Sequence, residues 1–306
     1  MRKITNQTEP DALELNIQDL SSTHTVYFKG CDDMIRGTLG RLFFTSLSLV
    51  LMLNFGITVK AGYNQGFEFT DTTDFTNNLL YNSNPNVNWA IQNNSNPVGP
   101  NPWNTAGSIW QTDNGFAAQA GSSGSYVWAN WNSVATTGVA NTISNWFLTP
   151  TLNFTTGDTV SFWTRTAGDT VSTPNTPSAY PDRLQVYLST NGSSKNVGGT
   201  ALSTGDFTTL LLDINPTYAL TTLTSTGPDG YPITWTQYQV NIPVNNFSGR
   251  IGFRYFILDT SIRANLIGLD TFSTTANLVP EPASFALMGL GLAGLAFARI
   301  RNRKSV

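Results

Sequence analysis

The segment spanning residues 183–192 reads RLQVYLSTNG, with Leu184, Val186 and Leu188 at alternate positions. Side chains two residues apart lie on the same face of an extended chain, so these three apolar groups share one face. This alternation predicts a β-strand with one buried face. The Asn-Gly pair that follows, Asn191-Gly192, predicts a turn of the hairpin type. The segment therefore indicates an all-β fold.

The period of two recurs along the chain. It predicts strands over residues 159–166, 207–214, 233–242, 250–258 and 267–272. In two of these segments the inward faces are predicted to carry Val160 and Phe162, and Ile251, Phe253, Tyr255 and Ile257. Residues 82–107 are rich in Asn and Pro and predict a long surface loop. Short strands separated by turns favour one antiparallel, jelly-roll-like β-sandwich over residues 62–278.

The N-terminal part has the pattern of a secretory signal peptide. Arg36 and Arg41 precede an apolar stretch over residues 42–55, and small residues around Ala61 offer a cleavage site. We therefore expect a signal-peptide helix within residues 34–61. Residues 1–33 are polar and mixed in charge, and we interpret them as a non-native extension, with translation starting at Met34.

The C-terminal part has three consecutive features. Residues 279–298 read VPEPASFALMGLGLAGLAFA, and a basic cluster, RIRNRK, follows at 299–304. The two prolines disfavour helix at the start, and the uncharged run is almost long enough to span a bilayer as a helix. The basic cluster favours a cytoplasmic end. We expect a transmembrane helix here, behind an extended box.

This tail closely resembles the PEP-CTERM sorting signal of bacteria. The matching residues are the box Val279, Pro280, Glu281 and Pro282, the apolar run and the basic cluster. The resemblance implies recognition by an exosortase, insertion in the inner membrane before processing, and a cell that makes exopolysaccharide. The protein would be exported and membrane-anchored, and then found at the cell surface or in the extracellular matrix. An ordinary anchor that is never cut remains the alternative.

The composition of residues 62–278 excludes several kinds of active site and metal site. The only histidine, His24, and the only cysteine, Cys31, lie upstream of them. No Ser-His-Asp or Cys-His nucleophile, no His/Cys metal site and no disulfide is possible there. Residues 62–298 hold 13 acidic against 6 basic residues, a formal balance of −7, which argues against nucleic acid as a partner.

The body also resembles a known family. Residues 66–68, 142–150, 160–166, 182–186 and 267–270 together are similar to the choice-of-anchor J domain. That domain occurs in bacterial surface proteins and is similar to the cleaved-adhesin and MAM-type jelly rolls. The resemblance implies an adhesin-like surface role and no known enzymatic activity.

Two acidic residues are candidates for a metal site. Glu68 is early in the domain and Asp270 is in its last predicted strand. In jelly rolls of the adhesin and MAM type, an early and a late acidic residue can meet and hold Ca²⁺, which takes several oxygen ligands. The alternative is two separate carboxylates without a metal.

Tryptophans are concentrated near Asn- and Gly-rich segments in the N-terminal half. Trp103, Trp110, Trp128 and Trp131 are candidates for stacking on sugar rings, and packing in the core is the alternative for each. A glycosidase using a carboxylate pair is a further alternative, with Glu68, Asp182, Asp259 and Asp270 as possible acids. Asp182-Arg183 also predicts a surface ion pair or a turn at a strand start.

The sequence thus favours a non-catalytic protein with a binding or structural role in the envelope or exopolysaccharide matrix. A carbohydrate-binding module and a carboxylate-dependent glycosidase are the alternatives.

Overall fold

Residues 62–279 of this computed structural model form two antiparallel β-sheets that enclose a common core. The structure describes these residues apart from 70, 83, 107–114, 137, 169–176, 228 and 244–245. The predicted N-terminal extension, the signal-peptide helix and the transmembrane helix of the tail fall outside the described residues. Within the described ranges, no helix has the length and apolar character needed to cross a membrane.

The described residues contain thirteen strands and short helical turns. The strands are β1 (Tyr63–Gln65), β2 (Ala90–Asn93), β3 (Asn104–Thr105), β4 (Val127–Asn130), β5 (Ile143–Leu148), β6 (Leu152–Phe154), β7 (Thr159–Thr166), β8 (Leu184–Ser189), β9 (Thr209–Ile214), β10 (Thr236–Asn241), β11 (Phe247–Ile257), β12 (Leu266–Thr274) and β13 (Asn277–Leu278). The helical turns are α1 (Thr72–Phe75), a π-helical turn (Thr76–Leu80), and 3₁₀ turns at Pro85–Val87 and Trp131–Ser133.

The strands are divided between two sheets. One sheet has the order β10-β7-β12-β4-β3, with β1 also paired to β12. The other has the order β13-β6-β11-β5-β2, and β8 pairs with β11 and carries β9 on its far side. From β6 to β8, and from β9 to β13, consecutive strands alternate between the sheets, so the described fold is an antiparallel β-sandwich.

The strand predictions are confirmed by the structure. β7 covers the predicted residues 159–166, and the other five predicted segments contain β8 to β12 with small shifts at their ends. The side chains predicted to face inward are buried in the central core. These are Val160, Phe162, Leu184, Val186, Leu188, Ile251, Phe253, Tyr255 and Ile257.

Two local predictions were wrong. Asn191-Gly192 does form a turn, with Gly192 at φ +52°, but it opens a long connection over residues 190–208 and does not join β8 directly to β9. Residues 82–107 are not only surface loop, because they contain β2 and β3 and bury Trp89 and Trp103. Because this segment is rich in Asn and Pro, its sequence gives no local pattern that would indicate that these tryptophans are buried.

The described chain begins and ends at the same end of the sandwich. Tyr63 pairs with Thr274, where β12 finishes, and the Gly62 N–H donates to Asn277 Oδ1 at 3.4 Å. Strand β13 then pairs with β6, with Leu278 opposite Leu152. The last described residues, 277–279, therefore lie beside the first strand.

Candidate functional site

A tight turn before β4 collects the two acidic residues that the sequence singles out. Residues 117–125 form this turn, in which the Ala118 N–H donates to Ser123 O and the Ser125 N–H to Ser122 O, both at 2.9 Å. Gly121 has φ +77°, a conformation that glycine adopts without strain. We call these residues the acidic-contact turn.

Asp270 is bound to the acidic-contact turn from β12. Its Oδ2 accepts the N–H groups of Gln119 at 2.8 Å and Ala120 at 3.3 Å, and its Oδ1 accepts the Thr271 N–H at 2.6 Å. The strand register shifts just after Asp270, and Thr271 has φ +47°. Burial raises the pKa of Asp270 to about 6, although the hydrogen bonds from backbone N–H groups oppose that shift.

Glu68 reaches the same turn from the segment after β1. Its Oε2 accepts the Ser125 hydroxyl at 2.5 Å. Its Oε1 lies so close to Gly121 that a Cβ at this position would be 1.8 Å from it. The structure therefore brings Glu68 and Asp270 to one turn, although they are far apart in the sequence.

The donor chemistry of this turn suits Ca²⁺ only in part. Two carboxylates and several backbone carbonyls are oxygen donors of the kind that calcium takes. However, both Asp270 oxygens already accept N–H groups, which point their positive ends where a cation would sit. No group of three or more His, Cys, Asp or Glu side chains is assembled anywhere among the described residues.

The candidate sugar-stacking tryptophans differ in exposure. Trp103 and Trp128 are 1% and 7% exposed, and each donates its indole N–H to a backbone carbonyl, of Asn145 and Thr105 respectively. Burial leaves neither ring with a face for a sugar. Trp131 is 42% exposed and keeps the stacking prediction open, whereas Trp110 lies outside the described residues.

The remaining carboxylate candidates do not gather into a pair. Asp182 is completely buried and accepts hydrogen bonds from Thr166, Tyr255 and Asn265. The predicted Asp182-Arg183 ion pair is wrong, because Arg183 instead binds Asp213 with two hydrogen bonds of 2.8 and 2.5 Å. Asp259 accepts hydrogen bonds from Ser261 within its own loop.

A cleft beside the edge strand β2 was missed from the sequence. It has a volume of about 460 Å³, and its lining includes Tyr81, Trp89, Gln92, Pro102 and Lys195. Four separate segments meet there: the chain after the π-helical turn, β2, the loop before β3 and the β8–β9 connection. Since β2 lies in a segment predicted as a surface loop, no local pattern pointed to it. We call it the β2 cleft.

Val279, the first residue of the sorting box, is the last described residue, and its N–H donates to Thr151 O at 3.2 Å. Pro280, Glu281 and Pro282 lie outside the described residues. The PEP-CTERM protein-sorting motif matches residues 278–303. The chain thus carries this motif at its C-terminus, which implies processing by an exosortase, export, membrane anchoring and a surface destination.

Comparison with solved structures finds cleaved-adhesin and carbohydrate-binding domains. The K1 cleaved adhesin domain of Lys-gingipain from Porphyromonas gingivalis is 17% identical, with a TM-score of 0.42 over 71% of this chain and 99% of that one. The K3 domain of the same protein is 19% identical, with a TM-score of 0.40 over 70% and 99%.

The CBM22-1 xylan-binding domain of Paenibacillus barcinonensis Xyn10C is 12% identical, with a TM-score of 0.31 over 71% and 95%. No curated protein sequence matches the chain.

Proposed function

We propose that the domain is a non-catalytic binding module, of the jelly-roll, choice-of-anchor J type, that acts in the cell envelope or exopolysaccharide matrix. The observation that carries this proposal is the PEP-CTERM motif at residues 278–303. The absence of histidine and cysteine from residues 62–306 supports a role in binding, because the usual nucleophilic and metal-based hydrolases need those side chains.

The placement of the chain ends supports the same role. Gly62 and Asn277 are hydrogen-bonded neighbours, so the sorting tail leaves from the end of the sandwich where β12 finishes. The loops that join β4 to β5 and β11 to β12 lie at the opposite end, because β12 runs from Leu266 to Thr274. A tether at one end leaves these loops free to meet a partner.

Intact mass spectrometry of the protein isolated from cells tests the sorting part of the proposal. We expect a mature form that has lost the signal peptide and the residues after the Pro-Glu-Pro box. The variant Glu281→Ala is expected to keep the C-terminal residues, because it alters the box. A mature wild-type protein that still ends at Val306 would overturn exosortase processing.

Carbohydrate binding is the more specific form of this function. Exposed Trp131 and the polar groups of the β2 cleft support it, since sugars bind through aromatic faces and hydrogen-bonding side chains. We expect the purified full chain to be retained by the exopolysaccharide of its own cell and to leave that glycan intact. Release of reducing ends would instead support a glycosidase.

Calcium binding at the acidic-contact turn is a second proposal for the same domain. Glu68 and Asp270 would hold the ion, which would brace the turn against β12 in a domain without disulfides. We expect Ca²⁺ to raise the melting temperature of the wild type and to have no effect on Glu68→Gln. A wild-type melting temperature that responds to neither Ca²⁺ nor a chelator would overturn the metal site, while leaving the binding function untouched.

A further inference from the structure

The β2 cleft combines apolar walls with polar groups that lack partners in the described protein. Tyr81 is 74% exposed at its rim, Pro102 is exposed beside it, and Trp89 is buried at the floor. The Tyr81 hydroxyl, the Gln92 amide and the Lys195 ammonium form no hydrogen bond or ion pair with any described residue. A volume of about 460 Å³ is within the range of about 300–1,000 Å³ found for small-ligand sites.

Other polar side chains near the cleft are hydrogen-bonded within the protein, whereas these three are left available to a ligand. Asn93 donates to Ser133 O at 2.9 Å and accepts the Ser95 N–H at 3.1 Å. Asp206, the acidic residue bound within the β8–β9 connection, accepts hydrogen bonds from Asn191, Ser194 and Asn196. Lys195 is exposed, and no carboxylate among the described residues is paired with its charge.

The charge around Lys195 favours a negative ligand. Arg250 is almost fully buried on the same side of the sheet and donates to the carbonyls of Thr149 and Ser193, both of which are neutral. Burial and the positive charge of Arg250 lower the pKa of Lys195. A ligand carboxylate would relieve this repulsion and gain a charge-assisted hydrogen bond.

The edge of β2 is too short and too well covered to accept a peptide strand. Just before β2, the Trp89 N–H already donates to Leu79 O at 2.9 Å, and at the end of β2 the Asn93 side chain donates to Ser133 O at 2.9 Å, which places other chain segments at both ends of the strand. Strand addition needs a row of free backbone groups, and β2 has only four residues. A tyrosine face and a proline instead provide flat apolar surface for a sugar ring, and an amide can bind its hydroxyls.

We propose that the β2 cleft binds a uronic acid unit of an acidic polysaccharide, with Lys195 on the carboxylate, Gln92 on a hydroxyl and Tyr81 against the ring. The proposal rests on the carbohydrate-binding function proposed above and names its site and ligand class.

Titration calorimetry with the full chain in detergent solution tests this site. The probes are a trigalacturonate, the same trisaccharide with its carboxyl groups methyl-esterified, and triglutamate as an acidic peptide. We expect the acidic sugar to bind about tenfold more tightly than the ester, the effect of about one charge-assisted hydrogen bond. Triglutamate is expected not to bind.

Variants separate the contribution of the Lys195 charge to binding from that of the Tyr81 ring. Lys195→Gln is expected to lower affinity for trigalacturonate about tenfold and to leave affinity for the ester unchanged, since only the ion pair is lost. Tyr81→Ala is expected to weaken both sugars about tenfold, by loss of the stacking face. Arg263→Gln and Tyr180→Ala, which change the same residue classes outside the cleft, should bind both sugars like the wild type. Tyr180 is 50% exposed, so Tyr180→Ala should also keep the wild-type melting temperature.

The outcomes distinguish this site from the broader function. If acid and ester bind equally, or if Lys195→Gln binds like the wild type, the proposed anion recognition is overturned. If cell exopolysaccharide binds but all cleft variants behave like the wild type, the β2 cleft is overturned while carbohydrate binding stands. If triglutamate alone binds, the ligand class is overturned, and if no glycan binds, both proposals fail.

Discussion

At the scale of single residues, the buried carboxyl of Asp182 is the group that most affects how stability depends on pH. It accepts the hydroxyls of Thr166 at 2.5 Å and Tyr255 at 2.6 Å, and the Asn265 N–H at 2.8 Å. These donors favour the charged form, but burial outweighs them and raises its pKa from the ordinary 3.8 to about 6. The folded protein thus binds this proton more tightly than the unfolded chain does.

Stability is therefore expected to fall with rising pH in the acid range. The contribution of Asp182 is fully present below about pH 4 and is lost as the pH rises through about 6, by about 3 kcal/mol at most. The pKa of Asp270 is also raised, so its contribution to stability is likewise lost as the pH rises. Asp182→Asn is expected to reduce the slope, because the amide is neutral at every pH. Urea unfolding between pH 4 and 8 measures how the free energy of unfolding of each protein changes with pH.

Asp270→Asn is the matched variant for the second carboxyl, and the double variant should be nearly independent of pH between 4 and 7. An Asp182→Asn variant with the same pH slope as the wild type would show that the three donors to Asp182 offset its burial.

The acidic-contact turn leads to a second prediction at the residue scale, which concerns Gly121. A Cβ at Gly121 would lie 1.8 Å from Glu68 Oε1, and the residue has φ +77°. Gly138 has a similar φ of +74°, but a Cβ added there would meet nothing within 4 Å, so Gly138→Ala measures the backbone strain alone. The end of the Glu68 side chain would have to move and lose its hydrogen bond with Ser125, so we expect Gly121→Ala to destabilise the domain by about 0.5–1.5 kcal/mol more than Gly138→Ala.

A double-mutant cycle identifies the clash. Removal of the Glu68 side chain, in Gly121→Ala with Glu68→Ala, should recover most of the excess destabilisation, measured by urea unfolding. Additive effects of the two substitutions would mean that Glu68 does not hold the turn.

At the scale of elements, the β8–β9 connection is held on the sheet by Phe207. This ring is fully buried and packs 5.5 Å from the ring of Trp146. Gly252 of β11 allows the approach, since a Cβ there would be 2.9 Å from Phe207 Cδ1. The connection that starts with the Asn-Gly turn is therefore a cover over the outer face of the sheet, and Lys195 lies within it.

Phe207→Ala is expected to destabilise the domain by about 3–5 kcal/mol, because it leaves a cavity against Trp146. Leu202→Ala is the control in the same connection, since Leu202 is 67% exposed, and it should leave the free energy of unfolding unchanged. Denaturant midpoints for the two variants measure the difference. Equal, small effects would show that the connection is not anchored by Phe207.

At the scale of the whole molecule, the last strand closes the sandwich beside its first strand. Ala276 is fully buried, β13 pairs with β6, and the Val279 N–H donates to Thr151 O. These contacts end at the start of the Pro-Glu-Pro box. A processing cut within or after that box would leave the described domain intact.

Two truncated chains test this boundary. A chain ending after Val279 is expected to melt at the temperature of the wild type. A chain ending after Thr275 should melt about 5–10 °C lower, because it loses β13 and Ala276, and 1 kcal/mol shifts the melting temperature of such a domain by about 2–4 °C. A chain ending after Val279 that melts lower than the wild type would place part of the fold beyond residue 279.

The sequence by itself determined the strand class, the inward faces of β7, β8 and β11, and the sorting motif. These depend on local period and on residue order, which are properties of the chain alone. The tertiary structure decided that Glu68 and Asp270 meet at one turn, that Trp103 and Trp128 are buried, and that β2 borders a cleft. Each of these depends on which distant segments pack together, and burial of apolar surface across the two sheets makes that choice.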